Sequence, residues 1–368
     1  MQVVPDAPIA ASSAAGLAYD QVSQIHAGLQ DQQTFGTAIA HDPVGITPGD
    51  DLLTALRGKD VVIAFVESYG RVAVQDSAFS PQVDAVLDAG TSQLQTAGFS
   101  ARSAFLTSPT FGGISWLAHS TLQSGLWIDN QQRYDQLVAS DRFTLSDAFQ
   151  RAGWRTVADV PSNERDWPEG TSFYHYDKIY DDHNVGYQGP TFSYAAMPDQ
   201  YTLSAFQRLE LATPDRAPVM AEIDLVSSHT PWAPLPRLVD SSAVGDGSVF
   251  DAMPAQGQSP DVVWRDQDQV RAAYGQSIEY SLSTLISFVQ TSGDKNLVLL
   301  VLGDHQPAAI VSGQGASHDV PITIIAHDPA VMDRISGWGW QDGLRPDPRA
   351  PVWPMDTFRD RFLTAYGP

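Results

Sequence analysis

A chain of 368 residues with 43% hydrophobic content fills one large α/β domain or two smaller ones. Its 43 Asp and Glu against 21 Lys and Arg give a net charge of -22, which repels nucleic acid and anionic membrane, and no basic stripe offsets it. The lack of cysteine excludes disulfides, thiolate metal centres and thiol nucleophiles.

In chain order, residues 1–15 are rich in Pro, Ala and Ser and read as a flexible arm. No run reaches the roughly 18 apolar residues of a bilayer span, and no signal-peptide pattern opens the chain. The Pro/Ala-rich start after Met1 reads as the trimmed edge of a soluble domain, with a membrane anchor or signal expected outside this sequence. Residues 16–35 carry helical spacing at Leu17, Val22, Ile25 and Leu29. The run Val61–Val66 is the first buried strand and ends in Glu67-Ser68-Tyr69-Gly70. Ser80-Pro81 starts a helix to about Ala97, and Phe99–Leu106 is a second strand. Residues 107–116 are loop chemistry ahead of a short helix over 117–125, so Thr110 sits just ahead of a helix N-terminus, where N–H groups favour an anion. Thr107, Ser108 and Thr110 also fit as plain caps of that helix. His119, on the helix itself, reads as a packed histidine.

Residues 143–152 form a helix and 154–160 a strand, and the βαβ rhythm points to a parallel sheet. Residues 161–200 break it; rich in Tyr, Asp, Trp and Gly, they read as a long cover over a site. A helix over 198–211 precedes a strand over 217–226, which ends in Ser227-Ser-His-Thr-Pro-Trp232. A polar loop spans 236–262, and 266–291 is the longest helical pattern. Leu297–Leu302 is a strand buried on both faces; Gly303 lets the backbone turn, and Asp304 and His305 follow at once. Residues 318–327 enter another strand, 337–354 are a Trp/Pro-rich wrap, and 355–366 a terminal helix. The expected division is an N-terminal arm and helices (1–57), a catalytic domain (58–335) and a C-terminal wrap (336–368). No P-loop, G-x-G-x-x-G or G-x-S-x-G motif is present.

Glu67, Thr110, His229 and the Asp304-His305 pair share one property: each lies just past a buried strand or at a helix N-terminus. In a parallel sheet the strand ends share an edge, so residues far apart in sequence converge there. Glu67, Asp304, His305 and a Thr110 oxygen make a mixed oxygen–nitrogen set for Mn²⁺, Mg²⁺ or Zn²⁺.

This pattern resembles the alkaline phosphatase/sulfatase superfamily, and most of all the extracellular catalytic domain of lipoteichoic acid synthases and related phosphoglycerol or phosphoethanolamine transferases. VVIAFVES, PTFGG, LVLGDH and SSHTPW carry the resemblance, over about residues 60–330. It implies an α/β/α sandwich with a mostly parallel central sheet, like alkaline phosphatase. Glu67, Thr110, Asp304 and His305 would hold one divalent metal, Mn²⁺ ahead of Mg²⁺ and Zn²⁺. Thr110 would form the phospho-enzyme, with Ser108 its rival. His229 would meet the phosphate or leaving group, and backbone N–H groups near Gly112 would stabilise phosphoryl oxygens. Trp232, His175, Tyr176 and His318 would contact substrate; Tyr176 stands where the synthases carry an arginine, which sets a glycerol-phosphate substrate in question. The formylglycine pattern of true sulfatases is absent.

The implied activity is phosphoryl transfer through a phosphothreonine, on a phosphoglycerol- or phosphoethanolamine-type phosphodiester of the cell envelope. The expected partner is a phosphate-ester or lipid-linked head group, met on the extracellular or periplasmic face by a membrane-anchored protein. A phosphodiesterase or phosphomonoesterase of the same superfamily is the nearer alternative, and a non-catalytic envelope- or glycan-binding module the more distant one.

Overall fold

The computed structural model describes residues 9–163 and 165–368. Its centre is a sheet of nine strands: β1 Asp60–Val66, β2 Ser100–Thr107, β3 Arg155–Asp159, β4 Lys178–Tyr180, β5 Val219–Leu225, β6 Leu297–Gly303, β7 Asp319–Ala326, β8 Gln341–Asp342 and β9 Val352–Pro354. They lie in the order β4-β3-β5-β1-β6-β7-β2-β8, with β9 on β2. The five from β4 to β6 run parallel, and β7 is antiparallel to both β6 and β2. β1 and β6 are buried along their whole length. That is why their sequences are unbroken apolar runs rather than alternating ones.

Helices cover the sheet in two layers, giving the expected α/β/α arrangement. In one, α2 (Ser80–Thr96) and the helix Asp199–Phe206 pack on the long helix Gln267–Ser292. In the other, α3 (Ser115–Ser124) packs against the helices Leu145–Arg151 and Phe358–Ala365.

Register fixes the level of the site. Val66 of β1 pairs with Leu225 of β5 on one side and Gly303 of β6 on the other. Glu67 and Asp304 are each one residue beyond that rung, so they leave the sheet side by side.

Three readings of the sequence need correction. Residues 1–8 of the expected arm lie outside the described residues, but 9–15 begin helix α1 (Ile9–Ala40). Their alanines favour that state. The cover over 161–200 contains a short helix, Pro168–Ser172, and β4, so its aromatic stretch is part of the sheet edge. The C-terminal wrap likewise adds β8 and β9 to the same sheet.

Candidate active site

Asp304 is fixed by the backbone around it. Its Oδ1 accepts from Ser68 N (2.8 Å) and His305 N (2.7 Å). Its Oδ2 is buried with no hydrogen-bond partner. His305 donates Nδ1–H to the Gln306 carbonyl (2.9 Å), a group that can only accept, which fixes the ring with Nε2 turned toward the carboxylates. That nitrogen lies 3.4 Å from Asp304 Oδ2 and 3.4 Å from Glu67 Oε1. Burial and the Glu67 charge push the Asp304 carboxyl up to about 7. Burial also acts to raise Glu67, but His305 and hydrogen bonds from Ser115 and Ser68 outweigh it and hold that carboxyl below its usual value. A buried oxygen without a donor, an imidazole nitrogen and a second carboxylate, with ligand atoms within 4.8 Å, fit a divalent cation.

Two hydroxyls reach Glu67, Ser68 on Oε1 (3.0 Å) and Ser115 on Oε2, and Ser115 is the one that also meets His305. Its Oγ donates to Glu67 Oε2 (2.9 Å) and lies 3.2 Å from His305 Nε2. Ser115 is the first residue of α3, reached through Gly112 (φ 71°), Gly113 (φ 149°) and Ile114 (φ 67°). This left-handed run swings the chain so that the helix begins over the cluster. Thr110, the residue expected there, is buried and faces Ser108: its N–H donates to Ser108 Oγ (3.2 Å), and the two hydroxyl oxygens are 3.4 Å apart. Ser108 in turn donates to the Asp304 carbonyl (2.5 Å). Both therefore brace the Asp304 loop. The Gly112 N–H, expected to face a phosphoryl oxygen, is spent on the Gln306 carbonyl (2.9 Å).

A cavity of about 530 Å³ opens over Glu67, Ser115 and Asp304. Among the described residues, no Arg or Lys lines it. Two imidazoles do, His119 and His229. His229 stacks on Tyr194 (3.5 Å between centroids) and donates Nδ1–H to the Thr230 carbonyl (2.6 Å). Burial lowers its pKa, so it is neutral at pH 7.

His119 was expected to pack. Instead it forms a second cluster with Glu222 and Asp224 of β5. Its Nδ1 is 3.0 Å from Glu222 Oε1 and 3.5 Å from Asp224 Oδ1, and its ring stacks on Phe65 (3.7 Å, 15°). Burial alone would lower its pKa, but Asp224, Glu222 and Asp304 raise it to about 9. One signal in the sequence pointed here: Glu222 and Asp224 are two acids at i and i+2 on one face of an otherwise apolar strand.

The remaining expected residues sit around this centre. Tyr176 is buried and donates its hydroxyl to Glu222 Oε2 (2.9 Å), so it braces the second cluster. His175 is exposed and paired with Asp147 (2.7 Å), outside the cavity wall. Trp232 is buried, with its indole N–H on the Ser228 carbonyl (2.8 Å) and its ring stacked on Trp264. It supports the His229 loop rather than lining the cavity. His318 is exposed; its Nδ1 lies 3.3 Å from the Ser108 carbonyl and its ring tilts on Phe111.

No protein-family model matches the sequence. No curated protein matches it either. Solved structures do match. One is the lipoteichoic acid synthase LtaP from Listeria monocytogenes, at 16% identity and TM-score 0.50. The match takes in 74% of this chain and 66% of the synthase, just under two thirds of its length. A protein in the alkaline phosphatase superfamily from Vibrio parahaemolyticus matches at 16% identity and TM-score 0.51, over 92% of this chain and 75% of that one. The C-terminal periplasmic domain of EcEptC from Escherichia coli, in complex with Zn, matches at 13% identity and TM-score 0.54, over 87% and 86%. The fold is that of the alkaline phosphatase superfamily.

Proposed function

We propose that the chain catalyses metal-dependent phosphoryl transfer through a covalent phosphoserine at Ser115. The substrate class is a phosphodiester carrying a phosphoglycerol- or phosphoethanolamine-type head group on the outer face of the cell envelope. The observation that carries this reading is Ser115 Oγ seated between Glu67 Oε2 (2.9 Å) and His305 Nε2 (3.2 Å) at a helix N-terminus. The fold shared with a lipoteichoic acid synthase and with the periplasmic domain of EcEptC supports a substrate of the cell envelope. No helix among the described residues is long and apolar enough to cross a membrane, and the envelope location rests on that likeness alone.

Glu67, Asp304 and His305 would hold one divalent cation, Mn²⁺ or Zn²⁺ before Mg²⁺, since the set includes nitrogen. When bound, the ion supplies positive charge that lowers the pKa of a neighbouring hydroxyl and offsets charge on phosphoryl oxygens. The chain's own residues do the rest. Ser115 attacks phosphorus, and the N–H groups of Ser115 and Trp116 at the start of α3 face the oxygens that gain charge, the Leu117 N–H being held by the Ile114 carbonyl (3.1 Å). His229 and Tyr194, at the cavity wall, contact the head group. Water or an acceptor hydroxyl then releases the phosphoserine.

Ser115→Ala should lower kcat on the order of 10⁴-fold or more, because it removes the nucleophile. Metal binding, followed by titration calorimetry, should persist in that variant. Thr110→Ala should stay within about tenfold of the unsubstituted protein, as expected of a brace one contact away. The reverse pattern would return the nucleophile to Thr110. Incubation with a lipid-linked phosphoglycerol donor and with a chromogenic phosphodiester separates transferase from hydrolase.

A further inference from the structure

The proposed reaction leaves one proton unassigned, and the inference drawn here rests on that reaction. Breaking a phosphodiester expels an alkoxide, which must be protonated to leave readily. Among the described residues, the protonatable nitrogens that line the cavity are those of His119 and His229, since no Arg or Lys does.

His119 is built for proton transfer. It lies four residues after Ser115 on α3, so both side chains rise from one face of the same helix, and both line the cavity. Its Nδ1 points at two carboxylates and must therefore carry a proton. Its Nε2 has no hydrogen-bond partner among the described residues. Glu222 cannot swing away. It is buried, and its Oε2 accepts from the Tyr176 hydroxyl (2.9 Å) and from Gln123 Nε2. Phe65 fixes the plane of the imidazole ring. The result is an imidazole with one nitrogen anchored to a rigid carboxylate and the other left for the substrate, one helical turn from the nucleophile.

We infer that His119, aligned by Glu222, gives its Nε2 proton to the leaving oxygen and later takes one from the incoming hydroxyl. In the first half, Ser115 Oγ, its proton already released to solvent, bonds phosphorus. The bond from phosphorus to the leaving oxygen breaks, and the Nε2 proton passes to that oxygen, so a neutral alcohol departs. In the second half, the acceptor hydroxyl gives its proton to Nε2 as its oxygen bonds phosphorus. The bond from phosphorus to Ser115 Oγ breaks, and solvent returns the serine proton. His119 is a catalytic residue in this scheme and Glu222 a positioning residue. The charged groups facing the ring are Glu222 and Asp224 on β5 and Asp304 beyond β6, and all three favour its protonated form. Burial holds His229 in the opposite state, which suits it to contact the head group rather than to donate.

Leaving-group dependence tests the scheme. Two phosphodiesters with the same head group, glycerol or ethanolamine according to which the unsubstituted protein turns over, would carry either p-nitrophenol or a second glycerol as leaving group. The p-nitrophenolate anion needs no proton. His119→Gln should lower kcat on the glycerol ester by about 10²- to 10⁴-fold and on the p-nitrophenyl ester by less than about tenfold. Equal losses on both esters would overturn the inference and make His119 a phosphate anchor or a packing residue; no loss on either would overturn it as well. Glu222→Gln keeps the shape of the pair and serves as the second variant. It removes a charge that favours protonated His119, so the fall in glycerol-ester kcat at alkaline pH should move to lower pH. An unmoved limb would leave Glu222 a merely structural role and overturn its part. A protein in which Ser115→Ala retains full turnover of the p-nitrophenyl ester would sink the phosphoserine reading and the His119 role with it, and that outcome is read in a different variant.

Discussion

Of the two carboxylate oxygens of Asp304, Oδ1 accepts from two backbone N–H groups and Oδ2 from none. A buried oxygen left bare costs free energy unless something else satisfies it, and at Asp304 the bare atom faces His305 and Glu67. Asp159, at the end of β3, is the contrasting case. It is 1% exposed, and neither of its oxygens has a partner. It pairs in register with Ile223, so its side chain lies on the sheet face opposite Glu222 and Asp224. Burial first, then the charges of Asp224 and Asp181, push its carboxyl well above the ordinary 3.8. A carboxyl whose folded pKa is raised binds its proton more tightly in the native state. Its contribution to stability is therefore complete below pH 3.8 and is lost as pH rises through the raised value. Asp159→Asn removes that titration. Urea unfolding should show the variant more stable than the unsubstituted chain by about 1–3 kcal/mol at pH 8, with the gap closing toward pH 4. A constant gap across that range would mean that Asp159 finds a partner in solution.

At the scale of elements, the site is made by two adjacent parallel strands that end on one rung. Both are legible in the sequence because a strand buried on two faces must be apolar throughout, and Glu67, Asp304 and His305 are the first polar groups after such runs. Ser115 was not legible in the same way. Which hydroxyl of residues 107–115 reaches the cluster depends on three consecutive left-handed residues, and only the glycines among them announce that geometry. His119 was hidden for a related reason. Its partners Glu222 and Asp224 come from a strand a hundred residues away, and nothing local on α3 separates a packed imidazole from an aligned one. Gly303 illustrates a third limit. Its place at the end of β6 suggested a turn, but it is the last residue of the strand, and a Cβ there would overlap the Tyr69 carbonyl. Close approach is what demands glycine. Tyr69 follows Ser68, whose N–H holds Asp304 Oδ1 (2.8 Å). Gly303→Ala should therefore push that loop outward, lowering stability by about 1–3 kcal/mol and weakening metal binding by about tenfold or more. Thermal unfolding with and without Mn²⁺ would measure both, and an unchanged metal-induced shift would show that the Ser68 contact does not set the affinity.

Across the whole molecule, the acidic surface works against compactness, since a net charge of -22 repels itself. Buried arginines partly answer it by tying distant segments together. Asp42, just past α1, meets Arg142 (3.0 Å) and both terminal nitrogens of Arg359 (2.9 and 3.0 Å). Arg359 is fully buried in the C-terminal helix and also donates to the Phe143 carbonyl. Arg142 adds bonds to the Ala38, Ile39 and His41 carbonyls, at the end of α1. One carboxylate thus joins the N-terminal helix, the segment leading into Leu145–Arg151 and the C-terminus. Burial first, then the neighbouring Arg359 charge, pulls the Arg142 guanidinium down to about 10, and the Asp42 and Asp360 charges act against that fall. Asp42→Ala would leave two guanidiniums in a dry site sharing Asp360, which meets Arg359 Nε (2.8 Å) and is half exposed, at a cost of about 3 kcal/mol. None of the three residues lines the cavity over Glu67, Ser115 and Asp304. Turnover per folded molecule at low temperature should accordingly match the unsubstituted protein, while the urea midpoint falls. Loss of turnover in parallel with intact folding would instead mean that the chain's two ends help to set the position of α3, and with it Ser115 and His119.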